Sequence, residues 1–392
     1  LGLYRGEPMR DERETPAPPS TENGRQQSAP QHTSKTISDW KDEFLAQKVK
    51  SRSSIRSNTE ESYRQYIDEF VFIMGDLPVH EVTAEHAEQF RDAMQRMPKN
   101  RNKRKPYIGK SAPELLAMHL PPDECRGGRT INEHLGLLRS MFKWLLSRGE
   151  IDRNPFDTVT AAEDSKGYTK FSEKDLATIF NSELYVLGSS YATRRTTSAS
   201  HWWFPLFALY TGARPSELVQ AQLKDVTTID GVTCLTITDD EQGKEVKTKA
   251  ARRVIPIHPE LLRLGVKDYL AQLSRQGVSR VFEGIRQGER KAGAEVGKWF
   301  NDRYREKFFP EFKQQRKVLY SFRHTHVTTA LNAGVDLRAV QQWVGHEPSQ
   351  MGATKHYDKG MKPPELLEAI GRVRWETGAL KLDPGDWRRL CL

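Results

Sequence analysis

From Ile37 onward, apolar residues recur at steps of three and four between charged positions. Trp40, Phe44 and Leu45 form one such stripe, and Tyr63, Ile67, Phe70 and Val71 form a second that opens at Asn58 or Thr59, so two amphipathic helices are predicted. Ala84, Ala87, Phe90 and Met94 repeat the pattern over 83–97, and Pro98 stops it. Thr130 opens the clearest helix of this half, with Ile131, Leu135, Leu138, Phe142 and Leu145 on one face and Gly149 at its end. These segments predict an all-α domain over 33–156.

Asn154-Pro155 and the polar stretch 160–170 then replace the apolar period, which predicts a linker over 157–170. Beyond it, 171–378 is again mostly helical, with one exception. Val232-Thr233-Cys234-Leu235-Thr236-Ile237 alternates and is β-branched, a polar turn follows at 239–245, and Arg253-Val254-Ile255-Pro256-Ile257 is a second short strand. The fold class is therefore mainly α with a small antiparallel β-hairpin or sheet, an α+β arrangement. Residues 1–32 carry five prolines, many charges and no apolar period, and read as a disordered segment. Residues 379–392 read as a C-terminal tail. After Gly360, a last amphipathic helix with Leu366, Leu367, Ile370 and Val373 packs either on its own domain or on a neighbouring protomer.

Composition narrows the class. The 392 residues hold 36% apolar and 29% charged side chains, enough for two domains with separate cores. No run approaches the roughly 18 apolar residues of a membrane span, and the start lacks a signal-peptide core, so a soluble cytoplasmic protein is expected, with no membrane partner. Because the chain begins at Leu1 rather than Met, a further N-terminal module lies open as an expectation. Three scattered cysteines, Cys125, Cys234 and Cys391, argue against a disulfide framework or a thiolate zinc site. A net charge of +9 points to a polyanionic partner. Lys99, Arg101, Lys103, Arg104 and Lys105 place five cations in seven residues, either a solvated loop or a phosphate-contacting one.

Candidate chemistry gathers at three places. In Tyr210-Thr211-Gly212-Ala213-Arg214-Pro215-Ser216-Glu217-Leu218, Gly212 permits a tight turn and Pro215 suits a first helical position, so Arg214 meets an anion beside free backbone N–H groups. Tyr320-Ser321-Phe322-Arg323-His324-Thr325-His326 opens a helix that Gly334 ends. Asp336 caps the next, which leaves His346 just past its end. Lys355-His356-Tyr357-Asp358 follows. His324 and His326 sit about 200° apart around a helix and cannot share one ion, so no metal is expected.

These boxes, in this order, resemble the tyrosine recombinases of the phage integrase family. Thr-Gly-Ala-Arg-Pro-Ser-Glu resembles the first arginine box, Ser-Phe-Arg-His-Thr-His the second, and Val-Gly-His followed by His-Tyr the last. The match runs over about 170–378, and 33–156 resembles the family's SAM-like core-DNA-binding domain less specifically. The resemblance implies a C-shaped clamp of two domains around duplex DNA. It implies that Arg214 and Arg323 hold the scissile phosphate, His346 donates a further hydrogen bond, Tyr357 attacks phosphorus and Lys247 is the general acid, with Lys249 as the alternate. Glu217 matches an acidic position that buttresses Arg214. The family usually has His where this chain has Tyr320, which puts base assistance in question. It further implies attachment sites in double-stranded DNA, a homotetramer on two duplexes, accessory DNA-bending or directionality factors, and no cofactor.

The chemistry agrees with elementary arguments. A phosphodiester under attack gains charge on its non-bridging oxygens, and two guanidiniums neutralise it without a metal. A phosphotyrosyl bond retains the energy of the broken diester, so rejoining needs no ATP. Two other classes fit the same residues: a catalytically weak DNA-binding regulator of this fold, and a type IB topoisomerase that nicks and reseals without strand exchange.

Overall fold

The computed structural model describes residues 34–51, 57–162, 167–186, 198–240, 244, 249–288, 292–346, 360–375 and 382–390. The chain divides into two compact units, Leu1–Ser165 and Lys166–Leu392.

In the first unit, helices α1 (Ile37–Ser51), α2 (Ser57–Met74), α3 (Ala84–Arg96) and α5 (Gly128–Ser147) surround one apolar core, and α4 (Ala112–Leu116) adds Ala112 and Leu115 to a smaller cluster with Met97 and Tyr107. α2 lies centrally and packs on α1, α3 and α5. Its Phe70 meets Phe90 of α3 and Phe156, which in turn meets Phe142 of α5, so the segment after α5 closes the core with an aromatic ring. α3 begins at Thr83, whose side chain accepts from His86 N, and ends before Pro98. α2 extends back through Ser57, so Asn58 and Thr59 belong to its first turn instead of preceding it.

The second unit is built around α8 (Ala199–Thr211), every residue of which is buried. A helix apolar on all sides belongs inside a domain. Around it stand α6 (Glu173–Phe180), α7 (Glu183–Val186), α9 (Pro215–Val219), α10 (Pro259–Arg263), α11 (Val266–Arg275), α12 (Ala294–Lys298), α13 (Arg305–Phe308), α14 (Glu311–Gln314), α15 (Ser321–Asn332), α16 (Leu337–Val344) and α17 (Pro363–Ile370). A three-stranded antiparallel sheet, in the order β1 (Val226–Ile229), β2 (Val232–Ile237) and β3 (Arg253–Pro256), completes it.

The sheet has one strand more than the hairpin expected from the sequence. β1 joins β2 through Asp230-Gly231, both at positive φ (49° and 77°), with Ile229 opposite Val232. A two-residue Asp-Gly loop is among the strongest hairpin signals, but four residues with two exposed threonines show too little alternation to announce the strand before it. Within the stretch read as a tail, Trp387 is fully buried and packs on Tyr269 and Trp203. α17 lies on β3 and β2 of its own chain, burying Leu366 and Ile370.

Candidate active site

The site is assembled where two helices end. α8 terminates at Gly212 in the left-handed region (φ 60°), and a Cβ there would stand 2.7 Å from the His326 ring. Two residues on, Arg214 caps α9 with Pro215 at its first position, as the sequence predicts. α16 ends likewise at Gly345 (φ 68°), which leaves His346 just beyond it.

Arg323, in the first turn of α15, is 3% exposed and ties these ends together. Its Nη1 donates to the carbonyl of Gly212 and its Nη2 to the carbonyl of Val344, both at 2.7 Å. The same Nη2 lies 2.8 Å from His346 Nε2. Because a guanidinium only donates, that imidazole nitrogen accepts, and the ring proton of neutral His346 sits on Nδ1. Burial, then the positive charges of Arg323, Arg214 and Arg253, lower the His346 pKa and favour this neutral form. Burial and Arg214 push Arg323 itself down to about 10, so it remains charged near neutrality.

Glu217 organises the other arm. Its Oε1 accepts from Arg214 Nη1 at 2.7 Å, and its Oε2 accepts from the Arg214 backbone N–H at 2.9 Å and from Arg253 Nη2 at 2.7 Å. Burial works to raise the carboxyl, but Arg253, its hydrogen bond and Arg214 outweigh it and hold Glu217 below the usual range. The ionised form is thus locked. Arg214 Nη2 makes only a long 3.4 Å approach to the Gly345 carbonyl. Tyr320, half-buried, caps α15 one turn before Arg323, and its ring meets His324 edge-on at 5.3 Å.

Four of the expected residues, Arg214, Glu217, Arg323 and His346, therefore stand in one connected cluster. Lys247 and Tyr357 lie outside the described residues, and Lys249 opens a short turn, Lys249–Ala251, just before β3. His324 is exposed whereas His326 is buried, with Nδ1 against the Leu209 carbonyl at 2.8 Å. No group of three His, Cys, Asp or Glu side chains among the described residues converges on a common point.

Arg253 is the residue that sequence reasoning missed. Its side chain donates to Glu217, to Ala251 O and to Trp343 O, and only 3% of it is exposed. The signal was present, because alternation in β3 puts Arg253 on the face of Ile255 and Ile257, and an arginine on an apolar face requires a partner.

In the first unit the basic loop is fastened down. Arg101 donates from Nε and Nη2 to Glu69 at 3.0–3.1 Å, from Nη1 to Asn102, and stacks 3.6 Å over Phe72. Its guanidinium is thus engaged by groups of its own unit. Arg104 pairs with Glu124 at 3.0 Å, and Lys99 Nζ donates to the Asp123 carbonyl. Lys103 and Lys105 are exposed.

Residues 189–361, within the second unit, match the model of the phage integrase family. No curated protein matches the chain. Among solved structures it is similar to the Tn1549 transposon integrase in complex with a circular intermediate DNA, at 16% identity and a TM-score of 0.54, over 87% of this chain and 100% of that one. The same integrase with transposon right end DNA gives 17% identity and 0.54, over 86% and 99%. A lambda integrase dimer bound to a core site gives 15% identity and 0.50, over 83% and 79%. At these identities the likeness is one of fold. No helix among the described residues is long and apolar enough to cross a membrane.

Proposed function

We propose that this protein is a site-specific DNA recombinase that cuts and rejoins duplex DNA through a 3′-phosphotyrosyl intermediate, integrating or excising a mobile element. The observation that carries the reading is the meeting of Arg214 and Arg323, from two separate sequence boxes, beside a neutral His346. Arg214 and Arg323 hold the non-bridging oxygens of the scissile phosphate, and His346 offers its Nδ1 proton to the same group. The Tyr357 oxygen attacks phosphorus, the bond to the 5′ oxygen breaks, and Lys247, or Lys249, gives that oxygen its proton. Attack by a 5′ hydroxyl on the phosphotyrosine reverses the step and rejoins a strand.

Residues 33–156 serve as the core-DNA-binding domain and 171–378 as the catalytic domain. Because recombination joins two duplexes, four protomers act on them, with accessory bending or directionality factors, in the nucleoid-containing cytoplasm. Tyr320 donates a hydrogen bond where a histidine is usual. A neutral phenol is a weak base near pH 7, so the Tyr357 proton leaves without strong base assistance and cleavage is slow.

The test is covalent trapping on nicked suicide duplexes drawn from the DNA flanking the gene, with and without Tyr357→Phe. A metal-free, ATP-free adduct that the variant loses supports the reading. Tight binding to the same duplexes with no adduct assigns the protein instead to the regulators of this fold. Adduct formation with relaxation of supercoils but no strand exchange assigns it to the topoisomerases.

A further inference from the structure

The Arg253 side chain is almost wholly buried, and each of its nitrogens is bound to protein, so it has no donor left for DNA. It nevertheless shares one carboxylate with Arg214, the clamp residue. Glu217 gives Oε1 to Arg214 and Oε2 to Arg253, and its own side chain is 2% exposed. Paired with Glu217 alone, Arg214 would be neutralised within the protein. With Arg253 present, three guanidiniums stand against one carboxylate, and two positive charges remain for a phosphate.

We infer that Arg253 is a positioning residue that acts as the counter-charge of Glu217 and so keeps the phosphate clamp doubly positive. The inference rests on the recombinase reading above. Geometry supports a dedicated seat for it. At Gly345 a Cβ would stand 2.9 Å from Arg253 Nη1, so the end of α16 closes directly over the guanidinium. Arg253 Nε holds the Trp343 carbonyl, next to the Val344 carbonyl that receives Arg323. The buried charge thus sits beneath both arms of the clamp.

The experiment compares Arg253→Met, Arg253→Lys and the double variant Arg253→Met with Glu217→Gln. Adduct formation is followed on suicide duplexes carrying either a normal or a methylphosphonate group at the scissile position, and inorganic phosphate binding is measured in parallel. A counter-charge role predicts that Arg253→Met slows adduct formation by about 10- to 100-fold, while Arg253→Lys stays within about 3-fold of the parent. It also predicts that the double variant, in which neither charge remains, recovers about tenfold over Arg253→Met. On the uncharged methylphosphonate the gap between parent and Arg253→Met shrinks. A double variant no better than Arg253→Met, or Arg253→Lys as poor as Arg253→Met, overturns the inference and leaves Arg253 a packing residue. Should Arg253→Met fail to fold, the lysine and double variants decide alone. If the parent forms no adduct, the recombinase reading fails. Phosphate affinity then judges the counter-charge separately: weakened in Arg253→Met and restored in the double variant, or equal in all three and the idea is wrong.

Discussion

The molecule contains the same charge motif twice, a buried carboxylate between two arginines. In the first unit Glu69 joins Arg101 and Arg126, and in the second Glu217 joins Arg214 and Arg253. Exposure does not tell them apart, since the Arg101 side chain is 16% exposed and that of Arg214 is 17%. Saturation does. Arg101 has all its nitrogens engaged and an aromatic ring beneath it, and Arg126 adds a contact to Met94 Sδ. Arg214 has one good side-chain bond to Glu217 and one long approach to a carbonyl, so donor capacity remains on the accessible side. Such a triad is a fastener when closed and, on the proposed function, a phosphate receptor when one fork is left open.

The comparison breaks most readily at Arg214. Arg214→Ala is expected to slow adduct formation by about 10³-fold with little change in thermal melting, because Glu217 keeps Arg253 as partner. Loss of stability in step with activity would make both triads fasteners. Next in size is Glu69→Ala, which strands two largely covered guanidiniums and is expected to remove about 3 kcal/mol from the first unit in urea titration. Phosphotyrosyl chemistry on bound DNA should persist.

Acid sharpens the contrast between the units themselves. Burial pushes His201 and His258 down to about 4 and His326 to about 3, so all three are neutral in the folded second unit. The unfolded chain takes up these protons first. Stability from this source is therefore full above about pH 6.5 and falls as pH drops toward the folded values. Among the described residues, the first unit has one histidine lowered in this way by burial, His134. Amide exchange should show the second unit opening first between pH 6.5 and 4. The smallest effect belongs to the basic loop: replacing Lys103 and Lys105 with alanine should reduce the salt slope of DNA binding by about 2, whereas Arg101→Lys should leave it unchanged.

Much of the second triad's neighbourhood is legible in sequence because its signals are local. Gly212 ends a helix, Pro215 starts one, and Asp336 and Gly345 bracket another, so Arg214 and His346 fall at helix ends by short-range rules. The partnerships are not local. Glu69 lies in α2 while Arg101 lies in a loop beyond α3, and a run of cations read along the chain gives no sign of which member turns inward. Arg253 and Glu217 come from different elements for the same reason. β1 was hidden by its brevity, and Trp387 by the polar residues around it, although a tryptophan at a chain end is itself a hint of docking.

Besides the His346 ring, Arg323 is held by two carbonyls, Gly212 O and Val344 O. Main-chain oxygens are present whatever residue carries them. The last turns of α8 and α16 are therefore open to exchange among apolar residues of similar volume, provided the two left-handed glycines and the arginine stay. Divergence erodes such a centre slowly, and a lineage can lose most of its spelling while the grammar of the fold survives.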